Sequence, residues 1–377
     1  MTNLSALCDA TLFTGEAFVE GHALLVKAGR VLDIVKGGKL PPEAEKVSCA
    51  GKILAPGFID AQVNGGGNVQ FNNTPTVQAC LAILKAHRRF GTTRILPTLI
   101  SDTPEITQRA IAAAREARAQ DRGILGIHIE GPHLALPARG AHKADYLRPP
   151  EDSDLNLYRR QGDEAMLLTV APESVAPEQI AGLRAQGVVV SLGHTNATPG
   201  QIRAALDAGA TGFTHLFNGM SFRRGADGIV GPAKAALEDK ASWCGLIADG
   251  HHVSAEHIRL ALRMKPGRIY LVSDAMAPAA SDNPLPFALY DEKISVADGR
   301  CVNAEGKLAG SCITLADAVR YCIKEAGVEP GEALRMASLY PAMFFGLDQT
   351  LGKLLPGFEA DVVVLGMSFE IPCHPSI

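Results

Sequence analysis

Apolar and polar positions fall into two textures along this chain. From Met1 to about Leu54, short β-prone pieces such as Ala10-Thr11-Leu12-Phe13, Ala23-Leu24-Leu25-Val26 and Val31-Leu32-Asp33-Ile34-Val35 are separated by turns such as Lys27-Ala28-Gly29-Arg30. This texture predicts hairpins of a small antiparallel unit. After Ala55-Pro56-Gly57, apolar runs alternate with helical periodicity: a helix over 77–90, a strand over 93–97, an Ala-rich helix over 104–120, a strand over 124–130, a helix over 177–186, a strand over 188–194 and a helix over 199–208. Such alternation implies right-handed crossovers and a parallel sheet. Further runs at 213–215, 243–247 and 269–273 bring the count to about the eight strands of a βα barrel, which fits better than an open doubly wound sheet. The tail, turn-rich from Gly352 to Asp361 and then strongly β in Val362-Val363-Val364-Leu365, has no crossover helix after it. It is expected to pair with the N-terminal strands. The predicted fold is therefore α/β: a (β/α)8 TIM-like barrel over 55–346, with a small β-sandwich domain built from both chain termini, 1–54 plus 347–377.

Composition narrows the class. With 377 residues, 47% of them hydrophobic, and a formal net charge of -4, the chain can bury a large core and carries no field suited to nucleic acid. No apolar run approaches the roughly 18 residues of a membrane span, and the start lacks a basic stretch followed by an apolar h-region. Membrane insertion and export are not expected, and a cytoplasmic location is. The 8 cysteines form no CxxC pair, which reads as reduced thiols serving mainly as small buried hydrophobes.

The chemistry lies at the ends of the apolar runs. Gly126-Ile127-His128-Ile129-Glu130 ends in a carboxylate, Val188-Val189-Val190-Ser191-Leu192-Gly193-His194 and Thr211-Gly212-Phe213-Thr214-His215 in imidazoles, and Ile269-Tyr270-Leu271-Val272-Ser273-Asp274 in a second carboxylate. C-terminal strand ends in a barrel share one mouth. Carboxylate oxygen and imidazole nitrogen hold a zinc-like ion, and three protein ligands plus water make the open, catalytic form of such a site. Glu130, His194 and His215 match that count, and Asp274 is the natural proton acceptor for an activated water. Any one histidine alone reads more readily as a hydrogen-bonded residue near a strand end. Four groups at matched positions reverse that preference.

These residues carry a resemblance. Pro56-Gly57-Phe58-Ile59-Asp60, the Glu of His128-Ile129-Glu130-Gly131-Pro132, the two later histidines and the Asp of Ser273-Asp274-Ala275 resemble the amidohydrolase superfamily. More closely, Asp60-Ala61-Gln62-Val63-Asn64-Gly65, Gly140-Ala141-His142, Thr214-His215-Leu216-Phe217-Asn218, Ala248-Asp249-Gly250-His251-His252 and Leu308-Ala309-Gly310-Ser311 are similar to the N-acetylglucosamine-6-phosphate deacetylase family, over nearly the whole chain. That resemblance implies removal of the acetyl group from N-acetylglucosamine 6-phosphate, in amino-sugar catabolism, by a cytoplasmic homodimer. It implies one divalent metal ion, zinc ahead of iron or another ion, on Glu130, His194 and His215. Asp274 and His142 are the implied catalytic residues, with His142 also touching substrate. The implied sugar phosphate contacts are Ala141, Asn218, Gly219, Asp249, Gly250, His251, His252, Leu308, Ala309, Gly310 and Ser311. A turn glycine or a serine at a helix start also needs no ligand to explain it.

Two departures matter. Gln62 and Asn64 stand where most of the superfamily has His-x-His around a more buried metal. Carboxamides are poor transition-metal donors, so one ion rather than two is expected. Ala226 stands where the family carries an arginine that reaches the phosphate of the neighbouring subunit's substrate, and alanine cannot make the paired, charge-assisted bonds of a guanidinium. Either Arg223 or Arg224 takes over from a shifted loop, or the preferred substrate differs. His133 reads as a second substrate contact or a rim residue. The competing functions are a deacetylase of another N-acetylhexosamine, a cyclic-amide amidohydrolase, which Gln62 and Asn64 disfavour, and a silent scaffold, which has no need of Asp274.

Overall fold

Eight parallel strands stand side by side in chain order in the computed structural model, which describes residues 4–221, 223–225, 228–297, 299–306 and 308–372, with backbone alone for 223–225 and 228–230. They are β1 (Phe58–Val63), β2 (Thr92–Ile100), β3 (Gly126–Glu130), β4 (Ala165–Val170), β5 (Val189–Leu192), β6 (Gly212–Phe213), β7 (Trp243–Leu246) and β8 (Ile269–Leu271). A parallel bridge between Val63 and Ala275 brings the segment after β8 back to β1, so the sheet nearly closes into a barrel. Strands such as β1, β3 and β4 are buried at every position. That is the mark of strands covered by side chains inside and helices outside, and it explains why they read as continuous apolar runs.

The surrounding helices start where the sequence supplies caps. The side chains of Thr76, Thr103, Thr198, Ser254 and Thr314 accept backbone N–H bonds at the first turns of α1 (Val77–Arg88), α2 (Pro104–Gln120), α5 (Pro199–Asp207), α7 (Ala255–Met264) and α8 (Leu315–Lys324). Between α2 and α5 lie α3 (Asp152–Leu157) and α4 (Pro177–Ala185), and α6 is Pro232–Glu238. Pro104 and Pro199 open their helices, where a missing N–H costs nothing.

Three features depart from expectation. The strand expected over 93–97 runs on to Ile100. Pro97 sits at a register irregularity against β1, where its absent N–H is tolerated. β4 was not separated in the sequence, because a short continuous apolar run cannot be told from a buried helical segment. Between β8 and α8 the chain also builds a four-stranded antiparallel sheet, Phe287–Leu289, Glu292–Ala297, Arg300–Val302 and Leu308–Ser311. It packs Leu289, Ile294, Cys301 and Ala309 on Ile100 and Met276, at the mouth of the barrel.

The chain ends do meet. Val362–Gly366 pairs antiparallel with Lys52–Pro56 in one four-stranded sheet, and a second consists of Arg30–Lys36, His22–Lys27, Ser5–Cys8 and Glu45–Ser48. Leu7 and Leu24 of the second pack with Leu12 and Leu54 of the first. The sheets are mixed rather than antiparallel, since Ser5–Cys8 pairs parallel with Glu45–Ser48 and Thr11–Phe13 parallel with Lys52–Pro56. No helix among the described residues is long and apolar enough to cross a membrane. The 7 described cysteines are free thiols.

Candidate metal centre and catalytic cleft

Glu130 is the last residue of β3, and His194, His215 and Asp274 lie just beyond β5, β6 and β8. The last three leave their strands with left-handed backbone, φ 47°, 31° and 51°. Such conformations cost a non-glycine residue on the order of 1–3 kcal/mol and cluster at functional sites.

Their side chains converge. Oε1 of Glu130 lies 3.1 Å from Nε2 of His194 and 2.8 Å from Nε2 of His215, and the two nitrogens are 3.1 Å apart. Nδ1 of His194 faces the Ala138 carbonyl at 2.8 Å. A carbonyl only accepts, so Nδ1 carries the hydrogen and a neutral ring turns the Nε2 lone pair on the other two atoms. Three lone-pair atoms gathered this closely repel one another unless a cation sits among them. Around a tetrahedral ion with bonds of about 2.0–2.1 Å, donors stand roughly 3.3 Å apart. The triad therefore fits a divalent metal ion, and all three residues are buried.

Asp274 stands beside this set. Burial and then the charge of Glu130 raise its pKa to about 6, against the lowering effects of His215, His252 and an Asn64 hydrogen bond. Burial would likewise raise Glu130, but its bonds with His194 and His215 outweigh that and hold it well below the usual carboxylate range. Nδ1 of His142 accepts from the Ser101 backbone N–H at 3.2 Å and lies 2.7 Å from its hydroxyl. A backbone N–H only donates, so the His142 proton is on Nε2. Burial holds the ring neutral, its pKa lowered to about 3. His252 gives its Nδ1 to Oδ2 of Asp249 at 2.6 Å, while the other oxygen of Asp249 accepts the backbone N–H groups of His251 and His252.

A cleft of about 190 Å³ joins the triad, Asp274, His142 and His252. A model of the amidohydrolase family matches residues 53–374. The chain is 44% identical over 316 residues to an N-acetylgalactosamine-6-phosphate deacetylase of Shewanella sp. (strain ANA-3), covering 83% of this chain and 79% of that protein. It is 36% identical to the N-acetylglucosamine-6-phosphate deacetylase of Homo sapiens, covering 95% and 92%. The crystal structure of N-acetylglucosamine-6-phosphate deacetylase from Pasteurella multocida superposes with a TM-score of 0.93 at 32% identity, covering 97% of this chain and 96% of that one. The chain belongs to the amidohydrolase family.

In this amidohydrolase the remaining expected positions divide. Ala141, Asn218, Gly219, Leu308, Ala309 and Gly310 line the cleft. Asp249 and Ser311 stand behind it. Asp249 holds His252, and Ser311 exchanges bonds with the backbone of 273–276 and so holds the segment that carries Asp274. Gly250 has φ +78°, and a Cβ there would lie 2.7 Å from the Tyr321 hydroxyl, so packing explains that glycine. His251 is exposed and is not part of the lining. Arg223–Gly225 pairs antiparallel with Gly228–Val230, the Arg223 and Arg224 side chains are outside the description, and Ala226 lies outside the described residues. His133 is fully buried, with its ring nitrogens on the Arg148 carbonyl and the Tyr158 hydroxyl. It is neither a rim residue nor a substrate contact.

Several participants carried no local signal. Ser101 is hidden in the sequence because the apolar pattern ends the strand at Pro97, short of Ile100. Tyr290, whose hydroxyl donates to the Ser101 carbonyl at 2.5 Å, and Leu289, in the cleft wall, come from the inserted sheet that no motif announced.

Proposed function

We propose that this amidohydrolase removes the acetyl group from N-acetylglucosamine 6-phosphate, giving glucosamine 6-phosphate and acetate. The observation that carries the reading is the meeting of Glu130, His194 and His215 with the buried Asp274 in one cleft. A single divalent ion, zinc in this reading, would supply Lewis-acid polarisation of the acetamide and an activated water at neutral pH. Asp274, with a pKa raised to about 6, is ionised at neutral pH, takes the proton of the attacking water and returns it to the departing amine. His142 presents Nε2–H to the acetamide oxygen or a sugar hydroxyl. His252, aimed by Asp249, serves the sugar phosphate with Asn218 and Gly219, while Ala141 and the 308–310 segment embrace the ring. Ser311 holds the Asp274 segment from behind the pocket, and Gly250 and His251 stand outside its lining. Arg223 or Arg224 serves the phosphate across a homodimer in the cytoplasm. The barrel of 55–346 carries the chemistry, and 1–54 with 347–377 form the supporting sandwich.

The epimer N-acetylgalactosamine 6-phosphate is the second reading, favoured by the relative at 44% identity. Acetate release is to be measured with both phosphates, with unphosphorylated N-acetylglucosamine and with a hydantoin-type ring. The expected result is turnover of one or both phosphates, with Asp274→Asn lowering kcat by about 10²–10⁴ and the zinc retained. Turnover of the ring alone, or full activity of Asp274→Asn, overturns the proposal.

A further inference from the structure

Gln62 occupies the gap between the two carboxylates of the site. Its Nε2 lies 3.1 Å from Oε2 of Glu130 and 3.1 Å from Oδ1 of Asp274, while Nδ2 of Asn64 lies 2.6 Å from that same Oδ1. Carboxylates only accept, so both carboxamides turn their NH2 groups to them. The amide nitrogen of Gln62 has two hydrogens, one for each carboxylate. We infer that Gln62 is a positioning residue that clamps the metal ligand Glu130 to the proton carrier Asp274, with Asn64 as a second clamp on Asp274 alone.

The assignment of oxygens follows. With Oε2 of Glu130 occupied by Gln62, Oε1 is the atom turned on both histidines. With Oδ1 of Asp274 taken by two N–H donors, the proton in transit belongs on Oδ2. The backbone reinforces the clamp, since the Gln62 carbonyl accepts from the Asp274 N–H at 3.0 Å and from the Ser273 hydroxyl at 3.4 Å. Two buried carboxylates this close repel, and a neutral group with two hydrogens lowers that repulsion where a second cation would otherwise have to. Oδ1 of Asn64 finds no hydrogen-bond partner among the described residues, and Asn64 is buried and borders the cleft. Among the described residues, the Asn64 side chain thus hydrogen-bonds the proton carrier and no metal ligand.

The role in turnover rests on the proposed deacetylation, whereas the role toward the metal does not, and the two clamps separate in experiment. Zinc affinity is measured by chelator competition, and kcat and KM with N-acetylglucosamine 6-phosphate. Gln62→Met, which keeps length but has no donor, is expected to lose about 10–100-fold in zinc affinity and at least as much in kcat. Asn64→Ala is expected to keep its zinc affinity within about twofold and its KM within about threefold while kcat drops about tenfold or more. If Gln62→Met does not fold, as judged by thermal unfolding, Gln62→Ser replaces it. A serine hydroxyl has one hydrogen and cannot serve both carboxylates, so the same loss of zinc is expected. Unchanged zinc affinity in the Gln62 variants, or a loss in Asn64→Ala equal to theirs, overturns the clamp. If the wild type is inert toward that substrate while the zinc pattern holds, the substrate reading fails and the clamp stands.

Discussion

At Gly219 the backbone has φ +57°, and an added Cβ would stand 2.8 Å from Nδ1 of His194. Its Cα hydrogen is therefore all that the His194 ring tolerates, a reason for this glycine that needs no substrate contact. Gly219→Ala is expected to lower zinc content and kcat together by tenfold or more, with the thermal transition still cooperative. Normal zinc content in that variant would contradict the steric account. In the proposed reaction Asp274 sets the pH dependence. Its ionised form is the working one in that reaction, so activity is expected to fall as pH drops through its pKa of about 6, and a cation alongside would pull that value down. The acid limb of kcat/KM is expected to have its midpoint at or below about 6, and a midpoint above 7 would remove Asp274 from the role. Glu130, His194, His215 and Asp274 were legible because each ends an apolar run. Ser101 was not, since nothing near it in the chain shows that His142 lies against it.

Among the elements, β2 shows how barrel and chain ends are joined. Arg94, near the start of β2 and so at the end of the barrel opposite the cleft, bonds Asp361 through Nε at 2.8 Å, Glu359 through Nη2 at 2.6 Å and the Arg122 carbonyl at 2.7 Å. Its side chain is only 13% exposed, whereas Glu359 is 37% exposed and screened by water. Arg94→Met leaves Asp361 half-enclosed without its cation, which costs about 2–3 kcal/mol after allowing for that screening. The expected outcome is a lower Tm with unchanged kcat. A loss of kcat at full stability would mean that the tail couples to the site. The helix starts at Val77, Pro104, Pro177 and Pro199 were readable at this scale because apolar periodicity is local. β4 and the inserted sheet were not, because what distinguishes them is what they pack against.

For the molecule as a whole, Asp60 carries a pH-dependent strain. Burial raises its pKa to about 7 against the bonds it accepts from Ser273 and Gln62, and its Oδ2 has no hydrogen-bond partner among the described residues. The folded state thus holds a proton that the unfolded chain releases near pH 4. The associated stability is fully present below that unfolded value and is lost as pH rises through about 7. The loss is on the order of 4 kcal/mol. Asp60→Asn, neutral throughout, is expected to gain in Tm relative to the wild type between pH 5 and pH 8. A constant difference across that range would show that the carboxyl does not titrate in the folded protein.

The alternation of strand and helix apart from β4 and the inserted sheet, the pairing of the chain ends and the four strand-end groups were present in the linear chain, because periodicity and strand termination act over a few residues. Which atom faces which was not. Gln62 meets a partner 68 positions away and another 212 away, and only closure of the barrel sets those distances. The same closure turned His133 inward and laid the inserted sheet over the mouth. Hydrogen-bond direction and burial are properties of neighbours in space, and at this site nearly every neighbour comes from a different strand.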